Sequence, residues 1–194
     1  MHIANIKNHF CTITKHKMTV MKLCFRVGLI KQGLLHDLSK YSPTEFISGV
    51  KYYQGYRSPN AAEKLEKGYS LAWLHHKGRN KHHFEYWCDL TADIKVGLVG
   101  TKMPLKYVLE MACDRIAASM VYEGEKYTDA SAFHYFYRRK GDLAMHPDTS
   151  ELLEKILRTL MDKGEDEAFA YMRYLRKHPE CYESISDASA HELS

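Results

Sequence analysis

The segment from Leu34 to Lys40 has the sequence LLHDLSK and sets a histidine beside an aspartate in an apolar frame. Packing alone gives no reason for an adjacent His36–Asp37 pair. A neutral imidazole and a carboxylate from neighbouring positions can bind one divalent cation. Lys40 follows Asp37 by about one helical turn and could reach an oxygen of a bound phosphate. This segment therefore predicts a metal site that acts on an anion.

The chain offers further metal ligands on both sides of this pair. Histidine is frequent, with twelve in 194 residues, and four of the twelve fall between residues 75 and 83. Two adjacent histidines on a helix point about 100° apart, so we expect one of each pair to bind metal and the other to bind a neighbouring polar group or substrate. The candidate metal ligands are His16, His36, Asp37, His76, His82, His83 and Asp114.

Two of these candidates also have plain structural interpretations. Asp114 lies within an apolar helical pattern, where an unpaired carboxylate is costly and needs an ion pair or a metal. Pairing with Arg115 is the simple alternative, but adjacent side chains diverge on a helix. His16 on its own would be a core histidine bonded to a backbone carbonyl. Beside the other candidates, we interpret both Asp114 and His16 as ligands.

Helices are expected to position these residues. A helix over about residues 5–30 places His16 on one apolar stripe with Val20, Cys24 and Val27. The His36–Asp37 segment is expected in a second helix, turned back towards the first. Further helices are expected from Pro43, with Ser42 and Glu45 as a capping box, and from Pro59. The remaining expected helices cover residues 69–76, a stretch opening at His82–His83, residues 104–122, 129–137, 147–161 and 166–176, the last two joined at Gly164.

No segment shows convincing strand alternation, and residues 97–103 are expected to form a loop. The sequence therefore predicts an all-α chain. We expect one domain over residues 1–177 and a polar, flexible tail over residues 178–194.

The composition is that of an ordinary globular protein, with 45% hydrophobic and 27% charged residues. The net charge of +4 comes without a dense Lys/Arg stripe, so the composition gives no clear indication of nucleic-acid binding. No apolar run approaches the length of a membrane span, and no membrane association is expected. The five cysteines are scattered and odd in number, which indicates reduced thiols and a cytoplasmic location.

The ordered set of a histidine, a His-Asp pair, further histidines and a distant aspartate resembles the HD-domain superfamily of metal-dependent phosphohydrolases. The chain also resembles, more narrowly, an uncharacterised bacterial and phage family. Three segments carry that narrower resemblance: QGLLHDLSKYSP from Gln32 to Pro43, WLHHKGRNKHH from Trp73 to His83, and DRIAA from Asp114 to Ala118.

The wider resemblance implies an HD-domain-like helical bundle. It implies a first metal held by His16, His36, Asp37 and Asp114, with Asp37 bridging to a second. His76 and one or both of His82 and His83 would hold the second metal. The cofactor would be one or two divalent transition-metal ions, chosen from Mn, Fe, Zn, Co and Ni.

The implied activity is hydrolysis of a small-molecule phosphate ester, in particular a nucleotide. We assign Asp37 and Lys40 as catalytic residues. The candidate substrate-binding residues are Lys77, Arg79, Asn80 and Arg115. The basic surroundings of the site favour an anionic substrate.

Two alternatives remain open at this point. The same ligands would suit an HD-type di-iron oxygenase that activates oxygen. They would also suit a non-catalytic, metal-stabilised module that binds a nucleotide or a partner, with a closed coordination sphere. The oligomeric state stays open.

Overall fold

The computed structural model describes residues 3–142 and 144–183, and most of them are helical. The α-helices are α1 Ile3–Val27, α2 Ile30–Leu35, α3 Pro43–Lys51, α4 Pro59–Lys67, α5 Leu71–Lys77, α6 Leu105–Glu123, α7 Ser131–Tyr137, α8 Pro147–Lys177 and α9 Glu180–Glu183. Short 3₁₀ segments cover Leu38–Tyr41, Phe84–Trp87, Gly124–Lys126 and Lys140–Asp142. The prediction of an all-α fold is confirmed.

Helices α1 and α6 form the centre of the structure. Helix α1 packs against α2, α6 and α8, and α6 also packs against α7 and α8. The predicted stripe on α1 is buried, with Val20, Cys24 and Val27 fully enclosed and His16 on the same face. Apolar burial on this scale is the main stabilising term of such a core. Because His16 shares the buried face, the packing that stabilises α1 also fixes the position of its imidazole.

Glycine ends or interrupts two of the longest helices. Gly28 follows α1 with a φ of 88°, a left-handed conformation that glycine adopts without a steric cost. Gly164 lies inside α8 with φ 81° and ψ 178°, so its backbone breaks the helical path there. The predicted junction of two helices at Gly164 is confirmed.

A small β-hairpin is the main departure from the predicted elements. Strand β1, Cys88–Leu90, pairs antiparallel with β2, Leu98–Gly100. The expected loop over residues 97–103 therefore contains a strand. Each strand has three residues, too few for alternation to be visible in the sequence. A Cβ at Gly100 would lie 2.5 Å from the carbonyl oxygen of Ala144, so glycine allows this close approach of two backbones.

The C-terminal described residues pack onto the helical body. Tyr182 on α9 is buried, and its hydroxyl donates to the carbonyl oxygen of Met103 at 2.9 Å. Residues 184–194 of the expected tail lie outside the described residues. The division into a domain over 1–177 and a flexible tail stays a prediction. No helix in the described ranges is long and apolar enough to cross a membrane.

Candidate metal centre

The backbone around the His36–Asp37 pair differs from the expected second helix. Helix α2 ends at Leu35, and Asp37 adopts a left-handed conformation with φ 53° before the 3₁₀ segment begins at Leu38. Aspartate tolerates this conformation better than most residues. Since the chain turns sharply at this point, both side chains enter the protein, with relative exposures of 2% for His36 and 1% for Asp37.

A first cluster of candidate ligands gathers around one oxygen of Asp37. It consists of His16, His36, Asp37 and Asp114, whose ligand atoms all lie within 4.8 Å of one another. Asp37 Oδ2 is 3.2 Å from His36 Nε2 and 3.7 Å from His16 Nε2. His16 Nε2 lies 2.9 Å from Asp114 Oδ1. The structure therefore brings together one loop, α1 and α6 at these four residues.

A second cluster gathers around the other oxygen of the same carboxylate. It consists of Asp37, His76, His82 and His83. Asp37 Oδ1 is 3.3 Å from His76 Nε2 and 3.4 Å from His82 Nε2, and His76 Nε2 is 2.9 Å from His83 Nε2. Asp37 thus presents one oxygen to each cluster, as a carboxylate that bridges two metal ions would.

The expected helix beginning at His82–His83 is absent. His83 has an extended backbone, with φ −85° and ψ 127°, and the 3₁₀ segment starts after it at Phe84. The separation of about 100° between adjacent side chains holds for a helix and not for an extended backbone. The imidazoles of His82 and His83 both belong to the second cluster. His75 and His76 do lie on α5 and diverge as expected: His76 enters the cluster and His75 contacts Glu45 instead.

Two buried glutamates outside the predicted set orient the imidazoles. Glu110 on α6 accepts a hydrogen bond from His36 Nδ1 at 3.0 Å, and its Oε1 lies 3.2 Å from His82 Nδ1. Glu45 on α3 accepts from His76 Nδ1 at 2.7 Å. A carboxylate that binds one ring nitrogen of a histidine fixes its tautomer and turns the other nitrogen towards the metal.

The sequence indicated that Glu110 lies beside the centre, but it suggested a different role for Glu45. Glu110 precedes Asp114 by four residues, which places both on one face of α6. Glu45 was expected to complete a capping box with Ser42, and that interpretation is wrong. The Ser42 side chain makes no capping bond, and Glu45 turns inwards to the histidines of α5.

The donor atoms of both clusters fit divalent metal ions. Among the described residues, the buried atoms His16 Nε2, His36 Nε2, His82 Nε2 and Asp37 Oδ1 have no hydrogen-bond partner of acceptable geometry. Buried polar atoms without a partner are rare in proteins and require an explanation. Mixed imidazole and carboxylate donors are typical of Mn, Fe, Co, Ni and Zn sites. A metal bound by these atoms would satisfy all four.

Electrostatics in the centre keep its carboxylates ionised. Burial would raise the pKa of Asp37, but the neighbouring His36 and Lys40 outweigh burial and hold this pKa well below its usual range. Burial likewise opposes ionisation of Asp114, but the imidazoles of His16 and His36, 2.9 and 3.5 Å from its Oδ1, hold the pKa of this carboxyl well below its usual range. Both aspartates are therefore anionic at neutral pH and ready to bind a cation.

A cavity of about 590 Å³ opens over the centre. Lys40 and Arg115 line it together with four of the candidate ligands, which are His16, His76, His83 and Asp114. Lys40 Nζ lies 2.6 Å from Asp37 Oδ2. Burial lowers the pKa of Lys40, but Asp37 and Asp114 more than offset it and raise this pKa, so the ammonium stays charged.

The other three candidate substrate contacts lie elsewhere. Lys77 and Arg79 are not among the residues that line the cavity, and exposed Arg79 donates to the carbonyl oxygen of His75. Asn80 is buried, and its amide donates at 2.8 Å both to Ser39 Oγ and to the carbonyl oxygen of His76. These contacts explain Asn80 as a support for the His76 turn. The assignment of all three to substrate binding stays a prediction.

The two glutamates give the centre a testable asymmetry. We expect Glu110→Gln to lower the affinity of the protein for both metal ions, because Glu110 contacts a histidine of each cluster. Glu45→Gln should lower the affinity for the ion of the second cluster alone, because Glu45 contacts His76 and not His16 or His36. Losses of about 10–100-fold in affinity are typical for such partners. Titration against a chromophoric chelator would measure both affinities.

Glu167→Gln is the matched control, because Glu167 is exposed on α8. Equal effects of Glu45→Gln on both ions would contradict the division into two clusters.

Comparison with known proteins identifies a family and no activity. No curated protein and no solved structure matches the chain. One family profile, described as a family of unknown function (DUF5662), matches residues 5–159. That match covers most of the chain and includes every residue of both clusters. The chain therefore belongs to the DUF5662 family.

Proposed function

We propose that this protein is a metal-dependent phosphohydrolase of the HD type, acting on a phosphate ester through a dinuclear centre. The observation that carries the proposal is the position of Asp37, which offers one oxygen to each of two ligand clusters. Paired ions a few ångströms apart recur in enzymes that hydrolyse phosphate esters. When bound, such ions polarise phosphate oxygens and acidify a water molecule.

The residues around the centre suit an anionic substrate. Lys40 lines the cavity with a charged ammonium beside Asp37, and it is placed to neutralise a phosphate oxygen. Arg115 lines the same cavity, and its guanidinium carbon lies 5.6 Å from the centre of the Phe136 ring. No described carboxylate forms an ion pair with Arg115, so its forked donors are free for a phosphate.

The cavity supports a catalytic role over a closed structural site. Its volume of about 590 Å³ falls within the range of small-molecule pockets. Ligands from both clusters line it, so a bound ion would face the space that a substrate enters. Trp73, Tyr135 and Phe136 line it too, and their rings suit the base of a nucleotide. These features support a nucleotide or a similar aromatic phosphate ester as the substrate.

The proposal is tested on protein isolated without an affinity tag. We expect elemental analysis to find about one to two transition-metal ions per chain. We expect the manganese- or cobalt-loaded protein to release inorganic phosphate from at least one member of a nucleotide panel. The metal-stripped protein is the control and should release none until metal returns.

Two results would overturn the hydrolase proposal. Protein that contains no metal and binds no added manganese, iron or zinc would remove the centre itself. Protein with two irons that consumes oxygen in the presence of an organic substrate, without phosphate release, would be an oxygenase with the same ligands.

A further inference from the structure

The cavity has a second group of cations besides Lys40 at the metal centre. Lys64 on α4 and Arg139, which follows α7, both line it. Arg115 lines the cavity as well, and it interacts electrostatically with Asp114 of the metal centre and with Arg139. Lys64 in turn interacts with Arg139. Lys40, Arg115, Lys64 and Arg139 therefore line one cavity.

These cations lack carboxylate partners at contact distance. Neither Lys64 nor Arg139 forms an ion pair with any side chain that the structure describes, and the Lys64 ammonium lies 4.8 Å from the centre of the Trp73 ring. Glu85 is the acid that interacts with both Lys64 and Arg115. The cavity lining carries five cations, Lys40, Arg57, Lys64, Arg115 and Arg139, against four carboxylates, Glu45, Glu85, Asp114 and Glu123. Neither Lys64 nor Arg139 forms an ion pair with any of the four, so both cations can attract an anion.

Like charges placed together in a cavity are unfavourable unless an anion binds between them. Burial is the main cause that lowers the pKa of Lys64; Glu85 opposes this shift, and Arg139 adds to it. Lys40 and Arg115 already suffice for a phosphate at the metal centre. Lys64 and Arg139 are thus in excess of what a single phosphate requires.

We infer that Lys64 and Arg139 form a second anion site, so that the substrate is a phosphate ester carrying another anionic group. This inference rests on the proposed function for the first phosphate, and it adds the chemistry of the rest of the molecule. Trp73 and Tyr135 line the same cavity, so the part between the two anions is apolar or planar. The second anionic group is a phosphoryl or a carboxylate group.

The test uses non-hydrolysable probes with the manganese-loaded protein and isothermal calorimetry. The probes are alkane diphosphonates with four, six and eight carbons, ω-phosphonocarboxylates of the same lengths, and alkyl monophosphonates as references. We expect at least one two-anion probe to bind about ten-fold more tightly than the monophosphonate of equal length. The probe class with the larger gain in affinity, diphosphonate or phosphonocarboxylate, identifies the second anionic group as phosphoryl or carboxylate.

Matched variants assign the gain to the second site. Lys64→Gln with Arg139→Gln should abolish the gain and leave the monophosphonate affinity unchanged. Lys95→Gln with Arg138→Gln removes the same charge from residues outside the cavity lining and should keep the gain.

The outcomes separate this inference from the proposed function. Equal affinities for one-anion and two-anion probes would overturn the second site, even if the protein releases phosphate from nucleotides. The second site would also be overturned if no probe binds, or if the Lys95→Gln, Arg138→Gln control variant loses the gain in affinity. A gain that depends on Lys64 and Arg139 would support the second site even if no phosphatase activity is found.

Discussion

Asp37→Ala is expected to abolish binding of both metal ions and to reduce phosphate release by at least about 10³-fold. No other side chain contributes an atom to both clusters in the described part of the chain. Its removal takes one ligand from each ion and leaves His36 and Lys40 without the carboxylate between them. Elemental analysis and a phosphate-release assay measure the two effects.

Thermal unfolding gives a third measurement for the same variant. A ligand that binds only the folded state at about a hundred times its dissociation constant adds about 2.7 kcal/mol of stability. Wild-type protein should therefore gain in melting temperature when manganese is added, and Asp37→Ala should not. His76→Ala is the informative comparison, because it should lose the second ion and keep the first. Full activity or full metal content in Asp37→Ala would rule out its bridging role.

Lys40→Met is expected to keep both metal ions and to lower kcat by about 10²-fold. The Lys40 ammonium contacts Asp37 but belongs to neither cluster, and it faces the cavity where a phosphate would gain negative charge. Methionine preserves most of the side-chain volume and removes the charge. Steady-state kinetics on the best nucleotide, together with metal analysis, would measure the change.

Lys31→Met is the control for this experiment, because Lys31 is exposed on α2, close in sequence but outside the cavity lining. Loss of metal from Lys40→Met would show that Lys40 organises the ligands. Unchanged kcat with a raised KM would assign Lys40 to substrate binding alone.

The residues of the candidate centre were predictable because their types are unusual for their surroundings. A histidine on the apolar stripe of α1 and an aspartate inside apolar α6 both carry a cost that a metal explains. The structure brings His16 and Asp114 together with His36 and Asp37. Helical periodicity also indicated the buried face of α1 and the break at Gly164.

The remaining features depend on contacts that are distant in sequence. The left-handed backbone at Asp37 and the extended backbone at His83 bring these side chains into the clusters, a tertiary arrangement that local propensity does not report. At Glu45 a local pattern competed with a distant one. The local sequence predicted a capping box within α3. In the structure the Glu45 carboxylate instead forms hydrogen bonds with His75 and His76 on α5.

The two clusters become complete at different times while the ribosome makes the chain. All ligands of the second cluster have been synthesised once His83 is made, whereas the first waits for Asp114 on α6. The N-terminal residues of a chain are made first, whereas a domain generally folds as a unit. The imidazoles of His36 and His82 also wait for α6, since Glu110 orients both. In a nascent chain that ends before α6, we expect the imidazoles of the second cluster to lack the fixed orientation that metal binding needs. Metal binding should therefore follow the translation of α6.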